Sequence, residues 1–160
     1  MIGIVKMEKK LYIYEYPRPA VTVDAVVFRK SDKEGWEVLL IRRKNEPYAN
    51  YWALPGGFVD ENETLEEAVV RELYEETSLQ GVNLSQMKAF SKPDRDPRGR
   101  TISIAFVGIL NQNVELKAKD DAKEVQWFPI SNLPPLAFDH EEIINCGVQW
   151  INSQEKGREV

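Results

Sequence analysis

Polar and apolar residues alternate from Leu11 to Tyr16, and a dense β-branched run follows from Val21 to Phe28, with Pro17 and Pro19 between them. Both stretches predict strands. A third strand is predicted at Val38 to Ile41, and the polar, glycine-terminated stretch Ser31 to Gly35 predicts a hairpin joining it to the second. From Leu65 to Thr77 the period becomes helical, after which Lys88 to Ser91, Thr101 to Leu110 and Glu124 to Phe128 read as further strands. A last helix is predicted over Asp139 to Asn152. There Ile143, Ile144, Val148 and Ile151 recur at helical spacing, and Asp139 stands as the N-terminal cap after the Pro134-Pro135 break. No internal repeat or low-complexity tract interrupts this order, so the prediction is an α+β fold, a mixed sheet sandwiched by helices.

The helix from Leu65 opens with Thr64-Leu65-Glu66-Glu67, a capping box in which Thr64 accepts from a backbone amide and Glu67 reaches back to the cap. Taking about 100° per residue, Leu65, Ala68, Val69 and Leu73 form one apolar stripe that should face the sheet. On the same projection Glu72 lies near −20° and Glu76 near +20° of Leu65, in the centre of that stripe. Carboxylates on a buried face must find a cation or hydrogen bonds, or their pKa values rise. A structural pairing with an arginine such as Arg42 or Arg43 is one solution. The other is a divalent metal, because Glu72, Glu75 and Glu76 converge as hard oxygen ligands on one patch. Magnesium or manganese suits such ligands and leaves coordination sites for water and substrate phosphate.

Composition narrows the chemistry. The 160 residues match one domain, 1–160, with 1–19 as an N-terminal strand region. A net charge of −5 offers no general attraction for nucleic acid, so a phosphate ligand must be held by local cations or metal. Cys146 cannot form an intrachain disulfide, and with His140 it cannot assemble a zinc site. No apolar run approaches a membrane span and the N-terminus lacks a secretory signal, so a cytoplasmic location is expected.

The segment Gly57 to Leu79 resembles the Nudix box, GX5EX7REUXEEXGU with U aliphatic, and a single fixed position departs from it. Ser78 stands where the family has Gly, at the helix end, where a left-handed residue is needed and serine adopts that conformation at some cost. Further stretches, Trp52 to Phe58, Arg95 to Arg100, Asp120 to Ala122 and Leu136 to His140, look like ADP-ribose pyrophosphatases. They also look like the Nudix portion of bifunctional nicotinamide mononucleotide adenylyltransferases and of repressors that sense ADP-ribose. The resemblance implies a Nudix-type α/β/α sandwich that cleaves a nucleoside diphosphate derivative with magnesium, ADP-ribose giving AMP and ribose 5-phosphate. It also implies a homodimer.

By that resemblance Glu72 and Glu76 are the main metal ligands, Glu75 a further ligand and the Gly56 carbonyl a backbone ligand. Glu63 and Arg71 pair to fix the loop to the helix. A general base is expected within reach of the attacking water. It is either a glutamate of the helix or an acid of the later loop, where Asp120, Asp121 and Glu124 are available, and the alternatives stay open. For substrate binding the candidates are Arg42 or Arg43, which leave their strand on opposite faces, together with Phe58 and the turn Arg95, Asp96, Arg98 and Arg100. Without the resemblance that turn reads as a charged exposed hairpin. Tyr12, Tyr14 and Tyr16 read as packing, with adenine stacking or a dimer contact as alternatives. Trp52, Trp127 and Trp150 read as core, and His140 as the neighbour of a helix cap. Two rivals accompany the hydrolase reading. One is a non-catalytic ADP-ribose sensor, opposed by the intact glutamates and by a length without room for a DNA-binding module. The other is a nucleoside triphosphate-sanitising pyrophosphatase.

Overall fold

The structure, a computed structural model, describes residues 10–33, 35–112, 114–118 and 122–157. Its elements run β1 (Ala20–Ser31), β2 (Gly35–Arg43), β3 (Trp52–Ala53), β4 (Gly56–Phe58), α1 (Leu65–Thr77), β5 (Ser85–Phe90), β6 (Thr101–Ile109), β7 (Ala122–Pro129) and α2 (His140–Lys156). The sheet is mixed and seven-stranded, with the path β3-β2-β1-β6-β5. β1 is its spine. It pairs antiparallel with β4 through Thr22 to Asp24, antiparallel with β2 from Phe28 to Ser31, and parallel with β6 along Ala20 to Phe28.

Alternation along β1 separates the two faces. Val23, Ala25 and Val27 pack in the layer of Ala68, Val69 and Leu73 of α1, whereas Val26 and Phe28 pack in the layer of Ile143, Ile144 and Ile151 of α2. The result is the expected α+β arrangement of helix, sheet and helix. Asp24, in phase with Val26, and Ser103, in phase with Ala105, therefore lie on the α2 face.

Four readings of the chain are corrected. Leu11 to Tyr16 is not a strand: among the described residues it pairs with no strand, Leu11 and Ile13 are 80% and 95% exposed, and Pro17 and Pro19 follow. Its tyrosines do not pack into the core either; Tyr12 stacks on Tyr14 at 6.4 Å and donates its hydroxyl to Glu61 at 3.1 Å. Asp139 makes no side-chain cap bond, because its carboxylate is taken by Arg95. Of the tryptophans, Trp127 is buried while Trp52 and Trp150 are partly exposed. β3 and β4, two and three residues long, carry too little pattern to be foreseen. Among the described residues, no helix is long and apolar enough to cross a membrane.

Candidate active site

The phase of α1 is set at both ends. Thr64 accepts from the Glu67 amide at 3.1 Å while Glu67 accepts from the Thr64 amide at 3.3 Å, completing the capping box. At the other end Ser78 sits in the left-handed region, φ 66°, and its N–H donates to the Tyr74 carbonyl at 2.9 Å. Between these limits the helix turns Glu76 under the sheet, 6% exposed, with Glu72 half-buried beside it.

Burial raises the pKa of Glu72 and raises that of Glu76 further, the charges of Glu72 and Asp24 adding to the rise at Glu76. The two carboxyls hydrogen-bond to each other, and Glu76 also accepts from the Gly56 amide at 3.2 Å. A side chain at Gly57 would come within 2.5 Å of Glu72 Oε1, so glycine leaves the room that this carboxylate occupies. The structural cation partner of Glu72 is its neighbour Arg71, at 2.9 Å, and not Arg42 or Arg43. Arg71 Nη1 also donates to Glu75 at 3.2 Å, Nε donates to Glu63 at 2.9 Å and Nη2 to the Phe58 carbonyl at 3.1 Å. The Arg71 hydrogen bond and the Asp60 amide hold the Glu63 carboxyl down at about 2. Arg71 thus ties the loop to the helix.

Gly56, Glu72, Glu75 and Glu76 line a cavity of about 490 Å³. Arg43, Phe58, Arg95, Asp96, Arg98 and Phe138 line it too. Arg42 leaves β2 on the other face, where it donates to Glu124 at 3.0 Å and to the Asn50 carbonyl at 3.2 Å. Neither it nor Glu124 lines the cavity. Arg100 also lies outside the lining, donating to the Ser91 carbonyl at 2.7 Å, as do Glu63 and Arg71. Asp120 and Asp121 lie outside the described residues.

The Arg95 to Arg100 turn is not a solvated hairpin. Arg95 is buried against Asp139 through two hydrogen bonds, at 2.9 and 2.6 Å. Arg98 is held edge-on by Asp96, at 3.1 and 2.8 Å, and its guanidinium carbon lies 5.1 Å from the Phe58 ring and 5.5 Å from the Phe138 ring. Asp96 is nearly inaccessible; burial acts to raise its pKa, but the Arg98 hydrogen bonds outweigh that and lower it. Asp24, Phe138 and His140 are among the lining residues that the sequence does not assign to the site. A buried-strand aspartate amid Val21 to Phe28 is the local signal that marks the first.

Among the described residues, no three Asp, Glu, His or Cys side chains form a ready-made cage for an ion. Arg71 draws Glu72 and Glu75 to itself. The donor set nevertheless fits a hard cation. Glu72 and Glu76 are hydrogen-bonded carboxyls at the floor of a cavity, a contact kept only with a proton or a cation between them, and magnesium needs one or two carboxylates beside water and substrate phosphate.

Residues 18–145 match the family model described as the NUDIX domain. The chain belongs to the Nudix family. Its Nudix fold is shared with the Nudix domain of Shewanella oneidensis NrtR complexed with ADP ribose, at a TM-score of 0.80 and 31% identity, over 85% of this chain and 90% of that one. It is 52% identical over 137 residues to an ADP-ribose pyrophosphatase of Methanocaldococcus jannaschii, covering 86% of this chain and 78% of the relative. A third relative is a bifunctional NMN adenylyltransferase/ADP ribose pyrophosphatase from Francisella tularensis, solved with AMP and a manganese ion. That match has a TM-score of 0.72 and 35% identity, over 85% of this chain and 43% of the other. Nudix enzymes use divalent metals, in keeping with that manganese ion.

Proposed function

We propose that this Nudix hydrolase is an ADP-ribose pyrophosphatase that adds water across the diphosphate to give AMP and ribose 5-phosphate. One observation carries the reading from the chain itself: the carboxylates of Glu72, Glu75 and Glu76 line the same cavity as the cations Arg43 and Arg98 and the rings of Phe58 and Phe138. The 52% identical pyrophosphatase supplies the substrate.

Glu72, Glu76 and the Gly56 carbonyl hold magnesium, with manganese as a substitute, and Glu75 is a further ligand. The bound ion supplies neutralisation of the diphosphate and an acidified water. Glu63 and Arg71 keep the Gly57 to Thr64 loop in register with α1. Arg98, fixed by Asp96, offers its guanidinium to substrate oxygens, and Arg43 faces the same space. The exposed apolar segment at Leu11 to Tyr16 supports a homodimer through the N-terminal region.

A magnesium-dependent panel of ADP-ribose, NADH, diadenosine polyphosphates, nucleotide sugars and nucleoside triphosphates tests the substrate, with products identified. The expected result is highest kcat/KM on ADP-ribose, with AMP and ribose 5-phosphate in equal amounts. Tight ADP-ribose binding without turnover would make the chain a sensor instead. Light scattering on the eluting protein reads the oligomeric state.

A further inference from the structure

Beneath the acidic floor lies a buried polar network that the proposed chemistry leaves unused. Asp24 and Ser103, on neighbouring parallel strands, both point to the α2 face, where the Ser103 hydroxyl donates to Asp24 Oδ2. The other oxygen, Oδ1, lies 3.5 Å from Nε2 of His140, the first residue of α2. His140 Nδ1 accepts the Leu54 N–H at 2.9 Å. A ring whose Nδ1 accepts carries its proton on Nε2, towards Asp24, when it is neutral. Burial holds the imidazole below its ordinary pKa, which keeps it in that form.

Leu54 leads through Pro55 to Gly56. The Pro55 carbonyl accepts from Ala25 at 2.8 Å and the Gly56 N–H donates to Glu76 at 3.2 Å. A side chain at Gly56 would strike Asp24 Oδ1 and the Val23 carbonyl, so this turn is pressed against β1. Its other support is His140. The corner that carries His140 cannot easily slide, because Asp139 is paired with buried Arg95 and Phe138 is held at φ 52°.

We propose that His140 is a positioning residue for the ion-holding turn: its Nδ1 clamps Leu54 so that Gly56 meets Glu76, and Asp24 fixes the ring tautomer that makes Nδ1 an acceptor. The inference rests on Glu72 and Glu76 being the residues that hold the ion. It couples the first turn of α2 to an ion site whose carboxylates Glu72, Glu75 and Glu76 all come from α1.

The test uses the full chain and manganese alone, with free ion read by electron paramagnetic resonance. His140→Asn keeps an acceptor near the Nδ1 position, whereas His140→Gln carries its amide a methylene further and cannot offer one there. Manganese affinity is expected to fall about tenfold or more in His140→Gln and to stay within about threefold of wild type in His140→Asn. Equal affinity in both variants, whether normal or reduced, would overturn the clamp. The chain's single histidine allows a direct check that needs no variant. Nitrogen-15 spectra of the wild type should show Nε2 protonated and Nδ1 bare, and a Nδ1-protonated ring overturns the proposal even if both variants fail to fold. Glu76→Gln is the control for the underlying reading. Normal manganese binding by that variant, or none by the wild type, strikes the metal assignment, while the tautomer still decides the clamp.

Discussion

Along α1 the cavity wall is made of like charges pressed together, and along the first turn of α2 it is made of opposite charges already matched. Glu72 and Glu76 share a hydrogen bond at raised pKa, with a single arginine, Arg71, drawn between Glu63, Glu72 and Glu75. Arg95 and Asp139, by contrast, have side chains 4% and 11% exposed, and Nε and Nη2 on one guanidinium edge each donate to a different carboxylate oxygen. The acidic wall is built to receive a cation and costs stability without one. The matched wall is built to stay still, and it orients Arg98, Phe138 and His140.

The sharpest way to break this contrast is Glu76→Gln. Turnover should fall about a thousandfold in a folded protein, read by steady-state assay with magnesium. The metal-free variant should at the same time be more stable than wild type at neutral pH. Glu76 has a folded pKa above its unfolded value of about 4.5, so the folded state binds the extra proton and metal-free stability declines as pH rises from that value. Removing the charge recovers about 1 kcal/mol, or ~2–4 °C in the thermal midpoint. A variant less stable than wild type would deny that the floor is under charge stress.

Arg95→Ala should act in the opposite sense. It leaves Asp139 buried and unpaired, at a cost of about 3–5 kcal/mol, measured by urea denaturation with or without metal. Arg98→Ala should cost about 1–3 kcal/mol of stability, because buried Asp96 loses its guanidinium but keeps the Arg98 backbone amide, and should lower kcat/KM on ADP-ribose about tenfold, with a smaller loss on a nucleoside triphosphate. Equal losses on both substrates would remove its selective role. The smallest effect is expected at the helix end: Ser78→Gly relieves a left-handed serine and should add about 1 kcal/mol, less the loss of its hydroxyl bond to the Lys117 carbonyl.

The two walls also differ in how far they can be read from the chain. Glu72 and Glu76 are legible because a helix of known phase fixes which face each residue occupies, and the capping box at Thr64 sets that phase. The Ser78 departure is legible for the same reason, and it takes the left-handed form that a helix end there requires. His140 is not legible. Its partners at positions 24 and 54 come from β1 and the turn before β4, and no local period brings them together. The Arg95 turn was ambiguous because charge density alone does not distinguish solvated arginines from ones buried against a distant aspartate. Leu11 to Tyr16 misled in the reverse way: alternation marks a strand only where a neighbour supplies hydrogen bonds.

β1 delivers one set of side chains to α1 and the other to α2, and the β1 residues that line the cavity, Thr22 and Asp24, belong to the second set. Inserting one amino acid between Thr22 and Ala25 would therefore exchange the faces of everything beyond it. An insertion between Thr22 and Val23 would swing the Asp24 carboxylate into the greasy layer beneath α1 and leave His140 looking at a valine. Length along this strand is consequently as constrained as any single side chain it carries.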